Sequence, residues 1–310
     1  MIVEEEEKSR ESPQGRFSTA PGGPISTRTQ ARKILRSLRK NKNAIAGLVI
    51  VAGYLLTAII VYLTSVLKIT IEPYNPIKQF TGAPYSPPSL AHWMGTDQLG
   101  RDVYSRIIAA TPNDVGIGLA VVASALIIGG LVGSYAAYRG GILDEALMRV
   151  TDVFFGLPAL VLAMAIAIAL GRGIVNMMLV LMIIWWPVYA RLARGEALKV
   201  SHQNYIEAAR LSGTGKFKTL FRHIVPNISI TLLVYATLDV GGVVLAYAGL
   251  SYLGLSVTPP APDWGQMVSE YQDYMLSAPY LTFFPGLVIS LAIIGWSLLG
   301  DGLRDALALK

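Results

Sequence analysis

The chain has 310 residues, of which 53% are hydrophobic and only 15% charged, and it carries a net charge of +6. A soluble domain of this length ordinarily carries about 25% charged residues, so this composition, with a mean hydropathy of +0.50, excludes an ordinary soluble enzyme. Cysteine is absent, which rules out disulfides and thiolate metal sites. The three histidines, His92, His202 and His223, show no metal-pair spacing.

Residues 1–29 are polar and rich in Ser, Pro, Gly and Glu, with the acidic run Glu4–Glu7. Such a segment buries too little apolar surface to fold, so a disordered tail is expected there. Residues 30–43 form a basic juxtamembrane segment. Arg28, Arg32, Lys33, Arg36, Arg39, Lys40 and Lys42 crowd the start of the first apolar run. An excess of this kind places the N-terminus in the cytoplasm and attracts anionic membrane lipid. It is not read as a nucleic-acid surface.

Apolar runs long enough to cross a ~30 Å hydrocarbon core are expected at 44–67, 113–138, 153–170, 174–192, 228–250 and 281–300. They are continuous and Leu/Ile/Ala-rich, so they read as helices and not as alternating barrel strands. The fold class is therefore an all-α integral membrane protein with six transmembrane helices. An external loop spans 68–112, and a core of five spans covers 113–307. Loop charges set the orientation. The loop 201–227, with the end of the span before it, carries Arg191, Arg194, Lys199, Arg210, Lys216, Lys218 and Arg222, whereas 251–280 has neither Lys nor Arg. Six spans with both termini cytoplasmic satisfy every loop.

Pro158 and Pro187 fall inside the third and fourth runs and are expected to kink them. Gly129 and Gly133 have the spacing that permits close helix approach. Gly116-Ile117-Gly118 lies in an apolar run with no strand before it and is not a nucleotide loop. No phosphate-binding Gly-x-x-x-x-Gly-Lys-Ser/Thr pattern occurs, so any ATP chemistry needs another chain.

The loop between the fourth and fifth runs is the most distinctive stretch. Glu207, Ala208 and Ala209 are strong helix formers, and Gly213 suits a helix stop at positive φ. Pro226 pre-sets the first turn of the next span. The expected product is a short stiff rod on the cytoplasmic side, either docked to another protein or lying on the membrane. On the external side, Asp97, Arg101 and Asp102 are close enough in sequence to pair and pin the loop, with a structural or a ligand-contacting role both open. At membrane depth Asp239 is the acid that stands out, facing a cavity or a neighbouring helix. Asp301, Arg304 and Asp305 close the last span.

Three blocks carry a family resemblance: His92-Trp93-Met94-Gly95-Thr96-Asp97-Gln98-Leu99-Gly100-Arg101-Asp102-Val103, the Glu207–Asn227 loop, and Leu250–Leu255 with Pro259-Pro260, Trp264-Gly265, Leu276–Pro279 and the Gly300–Leu307 ending. With the basic lead-in, they resemble the C-type permease subunit of the dipeptide/oligopeptide/nickel ABC-importer family over about residues 32–307. The resemblance implies a type I importer permease fold and an EAA loop at 201–227 that couples to ATPases. It also implies three kinds of partner, a second, B-type permease, two cytoplasmic ABC ATPases and an extracellular solute-binding protein, beside the membrane lipid that the basic segment attracts. No cofactor is expected in this chain, ATP and Mg being held by the ATPases, and no catalytic residue. Tyr247 departs from the family, where many relatives carry Glu. An aromatic lining the pore there would favour oligosaccharides over peptides. The rival readings are an ion-gradient-driven secondary transporter, with Asp239 as its proton site, and a membrane enzyme. The first lacks an internal repeat, and the second lacks a nucleophile–base pair or metal cluster at membrane depth.

Overall fold

The computed structural model describes residues 41–69 and 71–308. The acidic tail 1–29 and the basic residues Arg28 to Lys40 lie outside the described residues, so the expectations placed on them are not addressed. The described residues form helices and loops, with one isolated bridge between Thr96 and Asp102.

Helix α1 (Lys42–Val66) starts at Asn41, whose side chain accepts from the Asn43 and Ala44 amides. Helix α2 runs Val103–Arg139, ten residues further outward than the apolar run beginning at 113. The helix starts early because Asp102 caps it, accepting from the Ser105 amide at 2.8 Å. Its outer turns are buried in protein, which shelters polar Arg106 and Asp114, and Pro112 lies within it. The loop expected over 68–112 thus ends at Asp102.

The third apolar run differs more. Helix α3 (Gly141–Phe155) and helix α4 (Ala159–Leu170) meet at 86°. Pro158 is the residue capping α4, so the expected kink is a full break. Counting this bent pair as one crossing gives six, and five single helices are long and apolar enough to span by themselves. Helix α5 (Ile174–Ser201) contains Pro187 and continues past 192 into the charged segment.

Helix α6 (Asn204–Leu211) and the single turn α7 (Lys216–Thr219) follow. A π-helical turn over Leu220–Ile224 then leads directly into α8 (Val225–Tyr252). Pro226 stands in the first turn of α8, the position expected of it. It sits inside a helical stretch running from Lys216 to Tyr252. The missing proline donor interrupts the regular bonding, and the Asn227 side chain donates through Nδ2 to the His223 carbonyl at 2.5 Å. On the outer side lies the short helix α9 (Trp264–Tyr271), and α10 (Pro279–Ala308) closes the bundle.

Packing centres on α2, which lies along α5 and also meets α8 and α1, while α10 is wedged between α1 and α8. Two glycines make the α2–α5 contact possible. A Cβ on Gly129 would overlap the Trp186 carbonyl oxygen, and one on Gly133 the Ala190 carbonyl oxygen. Backbone thus meets backbone, the arrangement favoured where helices gain nothing from excluding water. Gly47 on α1 plays the same part against Leu298 and Leu299. We expect Gly133→Val to separate α2 from α5 and destabilise the fold by about 3 kcal/mol, read as a lower thermal midpoint in detergent, whereas Gly53→Ala, with open space around it, leaves the midpoint unchanged.

Candidate functional site: a loop helix, an aromatic-held carboxylate and a buried polar clamp

On the side bearing the basic loop, Ile206 anchors α6. It is fully buried among Ala193, Ala197, Leu220, Ile224 and Ile228, so the rod is fastened to the inner ends of α5 and α8. Glu207 and Ala208 face outward, and Ala209 is half-buried. The Ser212 amide donates to Ala208 and the Thr214 amide to Ala209, closing the helix at Gly213, whose φ is +76°. Pro226 is exposed. Around them stands an apolar surface with basic neighbours: Leu211 is 89% exposed, Phe217 69% and Phe221 53%, beside Lys216, Lys218 and Arg222. Large exposed apolar side chains amid charges mark an interaction surface.

Above this surface, charges tie α3 to α5. Arg194 makes a bidentate bond to Asp144 at 2.6 and 2.7 Å, and Arg191 pairs with Asp152. Asp301 and Arg304 pair locally at 3.5 Å while exposed, and Asn41 reaches Asp305.

At the middle of α8, Asp239 is half-buried. Its Oδ2 accepts from Trp185 Nε1 at 2.7 Å and from the Tyr189 hydroxyl at 3.0 Å, both on α5. Tyr235 stands edge-on to Tyr189, with centroids 5.4 Å apart. The carboxylate thus bonds a neighbouring helix and also keeps a face toward the α8 surface.

Tyr247 does not share that surface. It is completely buried, and its hydroxyl bonds Ser256 at 2.7 Å and donates to Asp263 at 2.5 Å. No ring face is free to stack on a sugar, so the expectation that Tyr247 lines a pore, and the oligosaccharide preference drawn from it, are corrected. It belongs to a buried node in which Asp263 also accepts from Ser251 and caps α9 through the Gln266 amide.

The outer block is also a buried assembly. Asp97, Arg101 and Asp102 are 0%, 3% and 1% exposed. Asp97 accepts from the Leu99 and Arg101 amides, from Arg101 Nε at 2.6 Å and from the Tyr271 hydroxyl. Arg101 reaches on to Glu270 at 3.2 Å. Arg106 shares Glu270 at 3.5 Å and donates to the Pro76 and Pro260 carbonyls. Asp102 pairs with His92 at 2.8 Å instead of with Arg101. Burial lowers the pKa of Arg101, but Asp97, Tyr271 and Glu270 together leave it above its usual value. Burial likewise raises the Tyr271 phenol. These are interior ion pairs that lock the loop to α9, not a weakly paired surface. Arg106, Glu270, Tyr271, Trp185 and Tyr189 were not among the residues marked in the sequence. An arginine in the outer turns of α2 and a Trp-Trp pair at membrane depth were the available signals.

Compared with known proteins, residues 129–310 match the family of binding-protein-dependent transport system inner membrane components. The chain belongs to that family. Residues 29–88 match the N-terminal TM domain of oligopeptide transport permease C. The chain is 36% identical over 276 residues, 89% of this chain and 88% of the relative, to a dipeptide transport system permease protein of Alkalihalophilus pseudofirmus. It is 37% identical over 283 residues, 91% and 92%, to a glutathione transport system permease protein of Pectobacterium atrosepticum. A probable D,D-dipeptide transport system permease protein of Escherichia coli is 42% identical over 221 residues, 71% and 74%.

The clamp yields a stability test. Asp97→Ala strands two interior guanidinium groups with Glu270 as their one remaining carboxylate. We expect a loss of about 3–5 kcal/mol, seen as a lowered unfolding midpoint, with Asp97→Asn intermediate because it keeps the acceptor for the backbone amides.

Proposed function

We propose that this chain is one of two permease subunits of an ABC importer for small peptides, working by alternating access. Support comes from family membership and from relatives whose names specify dipeptides or glutathione. The single observation that carries the mechanical part is α6. It is a short helix fastened through Ile206 to α5 and α8 and ringed by exposed Leu211, Phe217 and Phe221.

In this reading α6 fits a groove on a cytoplasmic ATPase, with Glu207, Ala208 and Ala209 at the contact and Gly213 ending the rod. The ATPases hold ATP and Mg, and this chain does no chemistry. When the ATPases close, the rod moves as a rigid body because Ile206 is gripped. The motion passes into α5 and, through the Lys216–Tyr252 stretch, into α8. A B-type permease completes the pathway, and an extracellular binding protein delivers the solute. Both termini are cytoplasmic. Asp239, on the half-exposed face of α8, lines the pathway between the two permeases. The outer clamp, with Asp97, Arg101 and Asp102 buried, holds shape and does not touch solute.

Glu207→Lys and Gly213→Asp are expected to reduce ATP-driven peptide uptake at least tenfold with normal membrane insertion. Full uptake by both would overturn the coupling role. Because the chain has no cysteine, single cysteines report sidedness directly. A thiol at Leu211 is expected to react with a membrane-impermeant maleimide only from the cytoplasm, and one at Thr258 only from outside. The reverse pattern sinks the orientation.

A further inference from the structure

We propose that Asp239 is a recognition point for the terminal ammonium group of a transported peptide. The proposal rests on the reading of this chain as a peptide permease with Asp239 on the pathway. The carboxylate is held asymmetrically. Trp185 Nε1 and the Tyr189 hydroxyl both bond Oδ2, and among the described residues no donor is recorded at Oδ1, and no Lys or Arg pairs with Asp239.

The open oxygen lies beside Gly242, one turn further along α8. A Cβ there would stand 3.5 Å from Oδ1 with nothing else within 4 Å, and Gly242 is exposed. The face around it carries the exposed small residues Thr231, Gly242 and Gly249, with Leu245 exposed between the two glycines. A carboxylate at membrane depth is costly unless it meets a partner or a wet cavity. Two donors orient it, yet its charge has no counter-ion among the described residues.

The surroundings favour an ammonium over a metal ion. Only one carboxylate oxygen is offered, and hard cations take six or more oxygen ligands. Trp185 and Tyr189 hold the other oxygen, Oδ2, through ring-edge donors, with Tyr235 edge-on to Tyr189, so the carboxylate sits in an aromatic neighbourhood of the kind in which ammonium groups are found. Met178 and Met182 fall on the same side of α5 as Trp185 by helical spacing, and methionine adapts to varied shapes. A fixed charge beside an adaptable wall suits solutes that share an amino terminus and differ in side chains.

The test uses the assembled transporter in nanodiscs, with Gly242→Cys as a reporter beside Oδ1. The chain has no other thiol, and cysteines of partner subunits are replaced. The thiol is reacted with a trimethylammonium-ethyl and with a sulfonato-ethyl thiosulfonate of similar size. With Asp239 present, the cationic reagent is expected to react about tenfold faster relative to the anionic one, as a focused charge enriches its counter-ion. Asp239→Asn, which keeps an acceptor for Trp185 and Tyr189, is expected to bring that ratio down to its value in water.

A ratio unmoved by Asp239→Asn overturns the proposal, as does a thiol closed to both reagents in every nucleotide state, which would mean that the second permease covers the oxygen. In a second arm, uptake of a free dipeptide is expected to fall at least tenfold in Asp239→Asn and to return in Asp239→Glu. Uptake lost equally in both would leave a structural role and sink the amine site. ATP-driven uptake by the native chain, lost in Glu207→Lys, would stand in all these cases, so failure here is separable from failure of the permease reading.

Discussion

The close approach of α2 and α5, backbone to backbone across Gly129 and Gly133, is the contact from which the rest of the architecture is hung. At its outer end α5 begins at Gly173, whose amide donates to the Ser256 carbonyl. At mid-depth it supplies Trp185 and Tyr189 to Asp239, and at its inner end Ala193 and Ala197 hold Ile206. One helix thus reaches three places that a transporter has to coordinate. Its position is set by two missing side chains on its neighbour, since lipid gives apolar helices no reason to associate by solvent exclusion.

The two ends of the bundle are built on different electrostatic terms. Outside, ion pairs are enclosed: Asp97, Arg101 and Arg106 are at most 3% exposed, and removing one partner leaves charge stranded in protein. At the end bearing the basic loop, the pairs between α3 and α5 are partly exposed, up to 48% for Asp152, where water and salt weaken them. The outer cap is therefore suited to keep its shape, and the inner side to let helices shift against each other. The division follows where force enters, if ATPases press on α6.

Most of the plan was legible in the sequence because bilayer physics writes it in long apolar runs and in lopsided loop charge. The all-α class and the crossings at α1, α5, α8 and α10 follow from those two signals, while the rod in the 201–227 loop follows from the helix formers Glu207, Ala208 and Ala209 and the stop at Gly213. The misses share a cause. Pattern reading assumes that each apolar run is one straight helix bounded by polar residues. The start of α2 at Val103 escaped because its outer turns are buried by protein and not by lipid, which allows Arg106 and Asp114 inside a helix. The 86° break before α4, and the helical turns from Lys216 that lead into α8 ahead of Pro226, depend on how neighbours satisfy the backbone, which no local pattern encodes. Tyr247 was misplaced because periodicity locates a residue along a helix but does not say which side a distant acid such as Asp263 will occupy.

The bend between α3 and α4 has a consequence for the surrounding bilayer. Twelve residues at 1.5 Å each carry α4 through only about 18 Å, well short of a ~30 Å hydrocarbon layer. Leu160, Val161 and Ile168 on α4 stay uncovered in this chain, so acyl chains or a neighbouring subunit must meet a wall that is too low. Where acyl chains meet this edge they compress, at a cost that grows with each ångström of mismatch. Membrane thickness thereby becomes a mechanical input, felt at the one crossing already broken in two.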